Sequence, residues 1–213
     1  MSKQLIELVN QWGAYEETHP DPSLAGFCLW HLTNQAATPA YPDDIFDESP
    51  INGLLGKLLG RVSQFDHHYS KKALQRLGIN NVDDMMYLHV IRYLGGTPRK
   101  SELIKNMLSE FPSGIEIIRR LTRMGLIEEM PDELDKRSKR VRLTANGEEI
   151  LNSSYAYLHQ AGELMFDTLS QGEKMLLVQL LARLDKFHTE HYSPYQTDSF
   201  DVLYDKLMKV IVS

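Results

Sequence analysis

A chain of 213 residues and 24.5 kDa, 42% hydrophobic and 24% charged, has the balance of a folded globular protein, and its single cysteine, Cys28, excludes a disulfide scaffold and fits a reducing cytoplasm. Residues 1–5 lack the apolar stretch of a secretory signal, and no charge-free apolar run approaches a membrane span. The net charge of −6 is uneven: −7 over residues 1–50, +3 over 51–96, +3 over 97–143 and −5 over 144–213, so an anion-binding surface belongs in the middle of the chain.

Residues 1–50 read as an N-terminal extension of two short helices and an acidic linker. The first helix, 3–17, carries Leu5, Leu8, Val9 and Trp12 on one face, and the second, 22–34, carries Leu24, Phe27, Cys28 and His31. Among Leu24, Phe27, Leu29 and Trp30, Cys28 reads as a small buried hydrophobe. Pro39, Pro42 and the acids Asp43, Asp44, Asp47 and Glu48 leave residues 37–49 little to bury.

Ser49-Pro50 opens a long helix, with the serine as cap and the proline at the first helical position. Its apolar stripe, through Ile51, Leu55, Leu58, Val62, Phe65, Tyr69 and Leu77, ends at Gly78. Asn80 or Asn81 caps the next helix, which stops at Gly95-Gly96. Residues 100–109 and 113–124 form two further helices separated by Phe111-Pro112. The period then changes: 126–130 and 139–143 are short strands around a polar hairpin loop. Thr144 starts a helix to about residue 169, with Ile150, Leu151, Tyr155, Leu158, Leu164 and Met165 inward. Ser170 caps another helix, carrying Met175, Val178, Leu181, Leu184 and Phe187, and the tail 191–213 adds an amphipathic helix through Phe200, Leu203, Leu207 and Ile211.

Helices, a tight turn, a helix and then a basic hairpin is the order of a winged helix-turn-helix, here over about 81–143. Three local patterns sharpen it: Arg120-Leu121 followed by Gly125-Leu126-Ile127, then Asp132 with Asp135-Lys136-Arg137, then Leu143-Thr144 with Gly147. In these motifs residues 51–190 resemble the MarR family of bacterial winged-helix regulators. The resemblance implies a mainly α fold with a small β-hairpin wing and long dimerisation helices, about 51–77 and 144–190. It implies a homodimer on a pseudo-palindromic operator in double-stranded DNA, modulated by a small effector.

On that reading the helix before the wing faces DNA through Ser113, Gly114, Glu116, Arg119, Arg120 and Arg123, since Ile115, Ile117, Ile118 and Leu121 are needed for the core. The wing adds Lys136, Arg137, Lys139 and Arg140, and with Arg142 these place five cations within seven residues. Asp135 is expected to hold Arg137 by a charge-assisted hydrogen bond. The sequence departs from the family pattern at Glu116 and Glu129, where arginine is usual; the expected partner of Glu116 is Arg120, four residues on.

Phe65, His68, Tyr69, Tyr87, His89 and Tyr93 combine apolar bodies with polar tips and are candidates for a pocket taking an aromatic or phenolic effector, the alternative being core packing. His67, His68, His188 and His191 lack a completing cysteine or carboxylate pattern, so no metal or other cofactor is expected. With no nucleophile motif and no phosphate-binding glycine loop, the chain is not expected to be an enzyme. The alternative to a DNA-binding regulator is a dimeric ligand-binding or interaction module on the same scaffold, without sequence-specific DNA binding.

Overall fold

A computed structural model describes residues 2–35, 50–135, 137–195 and 198–212. The elements run α1 (Lys3–Thr18), α2 (Leu24–Gln35), α3 (Ile51–Gln75), α4 (Val82–Tyr93), α5 (Lys100–Asn106), α6 (Phe111–Arg123), β1 (Ile127–Pro131), β2 (Lys139–Leu143), α7 (Ala145–Phe166), α8 (Gln171–Tyr195) and α9 (Phe200–Val212). The chain divides into two compact units, Met1–Leu58 and Leu59–Ser213. The division falls within α3.

In the first unit α1 and α2 meet through rings. Tyr15 and Phe27 are buried, and Trp12 lies 5.1 Å and Tyr15 5.7 Å from the Phe27 ring. Of the face predicted for α1, Trp12 takes part in this contact, whereas Leu5, Leu8 and Val9 are exposed, because the bulkier rings of Trp12 and Tyr15 form the contact. Cys28 is likewise exposed, a correction to the buried position expected of it, since Phe27 occupies the inward position. The acidic linker and Ser49 lie outside the described residues.

The second unit holds the core. Leu74, Ile79, Met85, Tyr87, Leu88, Ile91, Leu103, Ile104, Ile117, Ile118, Leu121, Leu126, Ile127, Val141 and Leu151 form one cluster from α3, α4, α5, α6, the hairpin and α7. Each fully buried aliphatic side chain there contributes about 1.5–3 kcal/mol, which is what fixes three short helices and a two-stranded ribbon in one arrangement.

Local chemistry sets the joints. Asn81 caps α4 by accepting from the Asp83 amide at 3.0 Å. Phe111-Pro112 does not separate two helices but opens α6, with proline in the first turn, where no amide is needed; α5 stops at Asn106. Gly125 ends α6 at φ +68°, and the Leu126 amide reaches back to the Leu121 carbonyl at 3.1 Å, so the chain reverses straight into β1. β1 and β2 pair antiparallel, Ile127 opposite Leu143 and Pro131 opposite Lys139. The Val141 amide also donates to the Pro98 carbonyl at 3.0 Å, which ties the wing to the start of α5.

Thr144 caps α7 through the Gly147 amide at 3.0 Å and donates its hydroxyl to the Gly125 carbonyl at 2.7 Å. Gly147 lies against the Leu126 carbonyl, in space a Cβ would occupy. The leucine-threonine-x-x-glycine pattern is therefore the clasp between the strand after the wing and the following helix.

The long helices are less buried than their periodicity implies. Leu59, Val62 and Phe65 of α3, Leu164 and Tyr155 of α7, and Met175, Val178, Leu181 and Leu184 of α8 are exposed in the single chain, as are Phe200 and Ile211 of α9. Contiguous exposed apolar side chains of this kind mark an interaction surface.

Candidate nucleic-acid interface

α6 is strongly amphipathic, with Ile117, Ile118 and Leu121 buried against α4 and α5 and a polar face outward. Ser113, Glu116, Arg119 and Arg123 lie on that exposed face. Two of the predicted interface positions do not. Gly114 is buried, and a Cβ there would stand 2.6 Å from Ile104 Cγ1 and 2.8 Å from the Tyr87 hydroxyl, so it is a packing contact. Arg120 turns inward: its Nε donates to Asp84 Oδ1 at 2.9 Å and Oδ2 at 3.0 Å, and Asp84 is buried. The carboxylate raises the Arg120 pKa further.

Glu116 consequently pairs not with Arg120 but with Arg119, Oε1 accepting from Nη1 at 2.7 Å. Arg123, in the last turn, is exposed and forms no ion pair among the described residues.

The wing is organised around a buried acid that the sequence pattern marked without explaining. Asp132 Oδ2 accepts from Arg99 Nε at 2.7 Å and Arg140 Nε at 3.0 Å, and its Oδ1 accepts from the Leu134 and Asp135 amides at 2.9 and 3.2 Å. The Arg99 hydrogen bond, opposed by burial and assisted by the two amides, lowers the carboxyl from its ordinary 3.8 to about 2. Arg140 also donates to the Thr97 carbonyl at 2.7 Å, so this predicted DNA contact is a strut of the wing. Asp135 holds Arg137 through its backbone amide at 3.0 Å, and the Ser138 hydroxyl at 2.8 Å, and not through the guanidinium.

The wing cations are largely neutralised at home. Lys139 pairs with Glu129 at 3.0 Å and Arg142 with Glu128 at 2.7 Å. Glu129 is also held by Lys100. Burial alone would raise the Glu129 carboxyl, but the two ammonium groups outweigh it and hold it below the usual range. Glu129 therefore presents no free negative charge where the family commonly has arginine. Arg137 is exposed, and its guanidinium carries no ion pair among the described residues; Lys136 lies outside them.

A groove of about 310 Å³ joins the start of α5, the start of α6 and the wing, lined by Arg99, Lys100, Ser101, Phe111, Arg137 and Lys139 among others. Arg99, Lys100 and Ser101 were not singled out from sequence. The available signal was the adjacent pair of cations Arg99 and Lys100 at the start of α5.

The six aromatic and histidine candidates do not converge on one pocket. Tyr87 is a core residue whose hydroxyl donates to Ser109 at 3.2 Å, and burial raises its pKa. Tyr93 is 77% exposed, and Phe65 is exposed on α3 beside Arg61. His68 meets Tyr69 edge on, with ring centres 5.9 Å apart. His89 instead meets Tyr155 of α7 at 3.3 Å, next to Arg92, which donates to Asn152 and pairs with Glu148. His188 and His191 flank a cleft of about 260 Å³ with Glu110, Asp198 and α9, and no group of three metal-ligating side chains occurs among the described residues.

A family profile described as a winged helix DNA-binding domain matches residues 79–147, which spans α4 to the clasp at Gly147. The chain is 27% identical over 125 residues to the HTH-type transcriptional regulator BilQ of Clostridium symbiosum, covering 58% of this chain and 84% of that one. Among solved structures, a mutant MarR from E. coli complexed with operator DNA superposes with a TM-score of 0.60 at 24% identity, over 67% of this chain and 99% of that one. BpsR of Bordetella bronchiseptica, whose DNA binding is regulated by 6-hydroxynicotinic acid, superposes with a TM-score of 0.56 at 21% identity, over 62% and 98%. No helix among the described residues is long and apolar enough to cross a membrane. With a winged helix DNA-binding domain matched over residues 79–147 and the MarR structures superposing on about two thirds of the chain, the protein has a MarR-like winged helix-turn-helix fold.

Proposed function

We propose that the protein is a cytoplasmic homodimeric transcriptional regulator that binds a pseudo-palindromic operator through α6 and the wing. The observation that carries the reading is the position of Arg123 and Arg137. They are exposed on α6 and the wing and are free of ion pairs among the described residues, although most of the surrounding cations are paired. In a hairpin with as many acids as bases over residues 127–143, unpaired arginines are what remains for phosphate and groove contacts.

The exposed ridges of α3 and α8 support the dimer, since both are apolar at helical spacing and uncovered in one chain. A small ligand modulates binding, as in the BpsR neighbour.

Fluorescence anisotropy against the intergenic DNA upstream of the gene, at several salt concentrations, tests the reading. Two free arginines per subunit, four in a dimer, predict a slope of log K on log salt of about −4 or steeper. Sedimentation equilibrium should give a dimer at micromolar concentration. A slope near zero on every duplex would favour the interaction module instead, and a monomer would remove the two-half-site geometry.

A further inference from the structure

We infer that Glu116 is a specificity-determining residue that reads cytosine in the major groove and aims Arg119 at a guanine on the neighbouring base pair. The inference rests on the proposal that α6 enters DNA. It follows from which groups the fold leaves outward on the first three turns of that helix, because the N-terminal part of a recognition helix is the part that reaches base edges.

Gly114 is packed on Ile104 and Tyr87, Ile117 and Ile118 are in the core, and Arg120 is fastened to Asp84. The exposed polar side chains are Ser113, Glu116 and Arg119, with Thr122, whose hydroxyl donates to the Ile118 carbonyl at 2.9 Å, and Arg123 a turn further on. Arg123 therefore sits where contact passes to the backbone, and Glu116 with Arg119 occupies the reading position.

Their pairing makes a carboxylate tolerable against DNA. Glu116 Oε1 accepts from Arg119 Nη1 at 2.7 Å, so the pair carries no net charge toward the phosphates, and both side chains are about 60% exposed. Oε2 of Glu116 has no hydrogen bond to a described residue, and an ionised carboxylate only accepts. In the major groove the donors are the N4 amino group of cytosine and the N6 amino group of adenine; adenine also offers the N7 acceptor, which repels a carboxylate, so cytosine is preferred. Arg119 keeps Nη2 and Nε for the O6 and N7 acceptors of guanine. Three residues of helix rise by about 4.5 Å, close to the 3.4 Å step between base pairs, so the two side chains address neighbouring pairs.

Selection of binding sites from random duplex DNA by the full-length protein, repeated with Glu116→Gln and Glu116→Ala, tests this. Wild-type protein should enrich half-sites with a cytosine and a guanine on neighbouring pairs. Glu116→Gln should move the cytosine position toward adenine, which glutamine reads through N6 and N7, and Glu116→Ala should lose about ten-fold of the discrimination there. Thermal melting checks that both variants fold as wild type, as expected for an exposed side chain. An enriched motif unchanged in both variants overturns the inference and leaves DNA binding standing. If wild-type protein enriches no motif and binds no duplex with salt sensitivity, the regulator reading fails, and the inference with it.

Discussion

Arg120 and Asp84, 36 residues apart in sequence, form a two-pronged ion pair that pins α6 to the start of α4, with Nε donating to both carboxylate oxygens at 2.9 and 3.0 Å. Asp84 is buried and Arg120 half-buried, so this pair resists solvent screening better than the exposed Glu116–Arg119 pair on the same helix. It fixes the rotation of α6 about its own axis, and with it which side chains face outward.

Removing either partner should destabilise the fold because the other is left buried without its counter-charge. Asp84→Asn and Arg120→Ala should each cost about 1–3 kcal/mol in urea denaturation. A double-mutant cycle should give a coupling of about 1–3 kcal/mol. Coupling below ~0.3 kcal/mol would mean that the pair does not position the helix.

The wing carries its own pH dependence. Asp132 has a folded pKa of about 2, below its ordinary 3.8, chiefly because Arg99 donates to it. A carboxyl depressed in the folded state contributes stability that is complete above its unfolded pKa and lost as pH falls through the folded one. Thermal stability should therefore decline between about pH 4 and pH 2, and Asp132→Asn should show a smaller decline over that window. Equal slopes in wild type and variant would assign the acid sensitivity to other carboxyls.

Gly147 tests the clasp after the wing. Its backbone lies so close to the Leu126 carbonyl that a Cβ cannot be placed without moving one segment or the other. Both are main chain, so a rotamer change cannot relieve the clash. Gly147→Ala should destabilise the protein by about 1–3 kcal/mol, despite the better helix propensity of alanine. An unchanged or raised melting temperature would show that the joint between β2 and α7 is looser than the structure has it.

Arg137 and Arg140 are neighbours on one hairpin with opposite expected phenotypes. Arg137→Ala removes a free cation and should cost about 1–3 kcal/mol of operator binding with the melting temperature unchanged. Arg140→Ala leaves buried Asp132 with one cation fewer and should lower the melting temperature first. Circular dichroism melts and anisotropy at fixed salt separate the two; equal operator affinity for wild type and Arg137→Ala would remove the wing from DNA recognition.

Sequence alone determined the order of the elements and most of their joints. Asn81, Gly125, Thr144 and Ser170 act within a few residues of their own positions, through caps and turns whose chemistry is local. The stripe of isoleucines and leucines on α6 is likewise a property of 3.6-residue periodicity.

Partnership across the fold was not legible. Whether Arg120 faces outward or meets Asp84, which leaves Arg119 to Glu116, and whether Arg140 faces outward or meets Asp132 depend on acids from other segments brought close by folding. The buried acids win because desolvation makes an unpaired carboxylate costly, so they take the nearest guanidinium first. A five-cation wing in sequence thus becomes, in the folded chain, a braced hairpin with one described arginine left over, and that choice was made by tertiary structure alone.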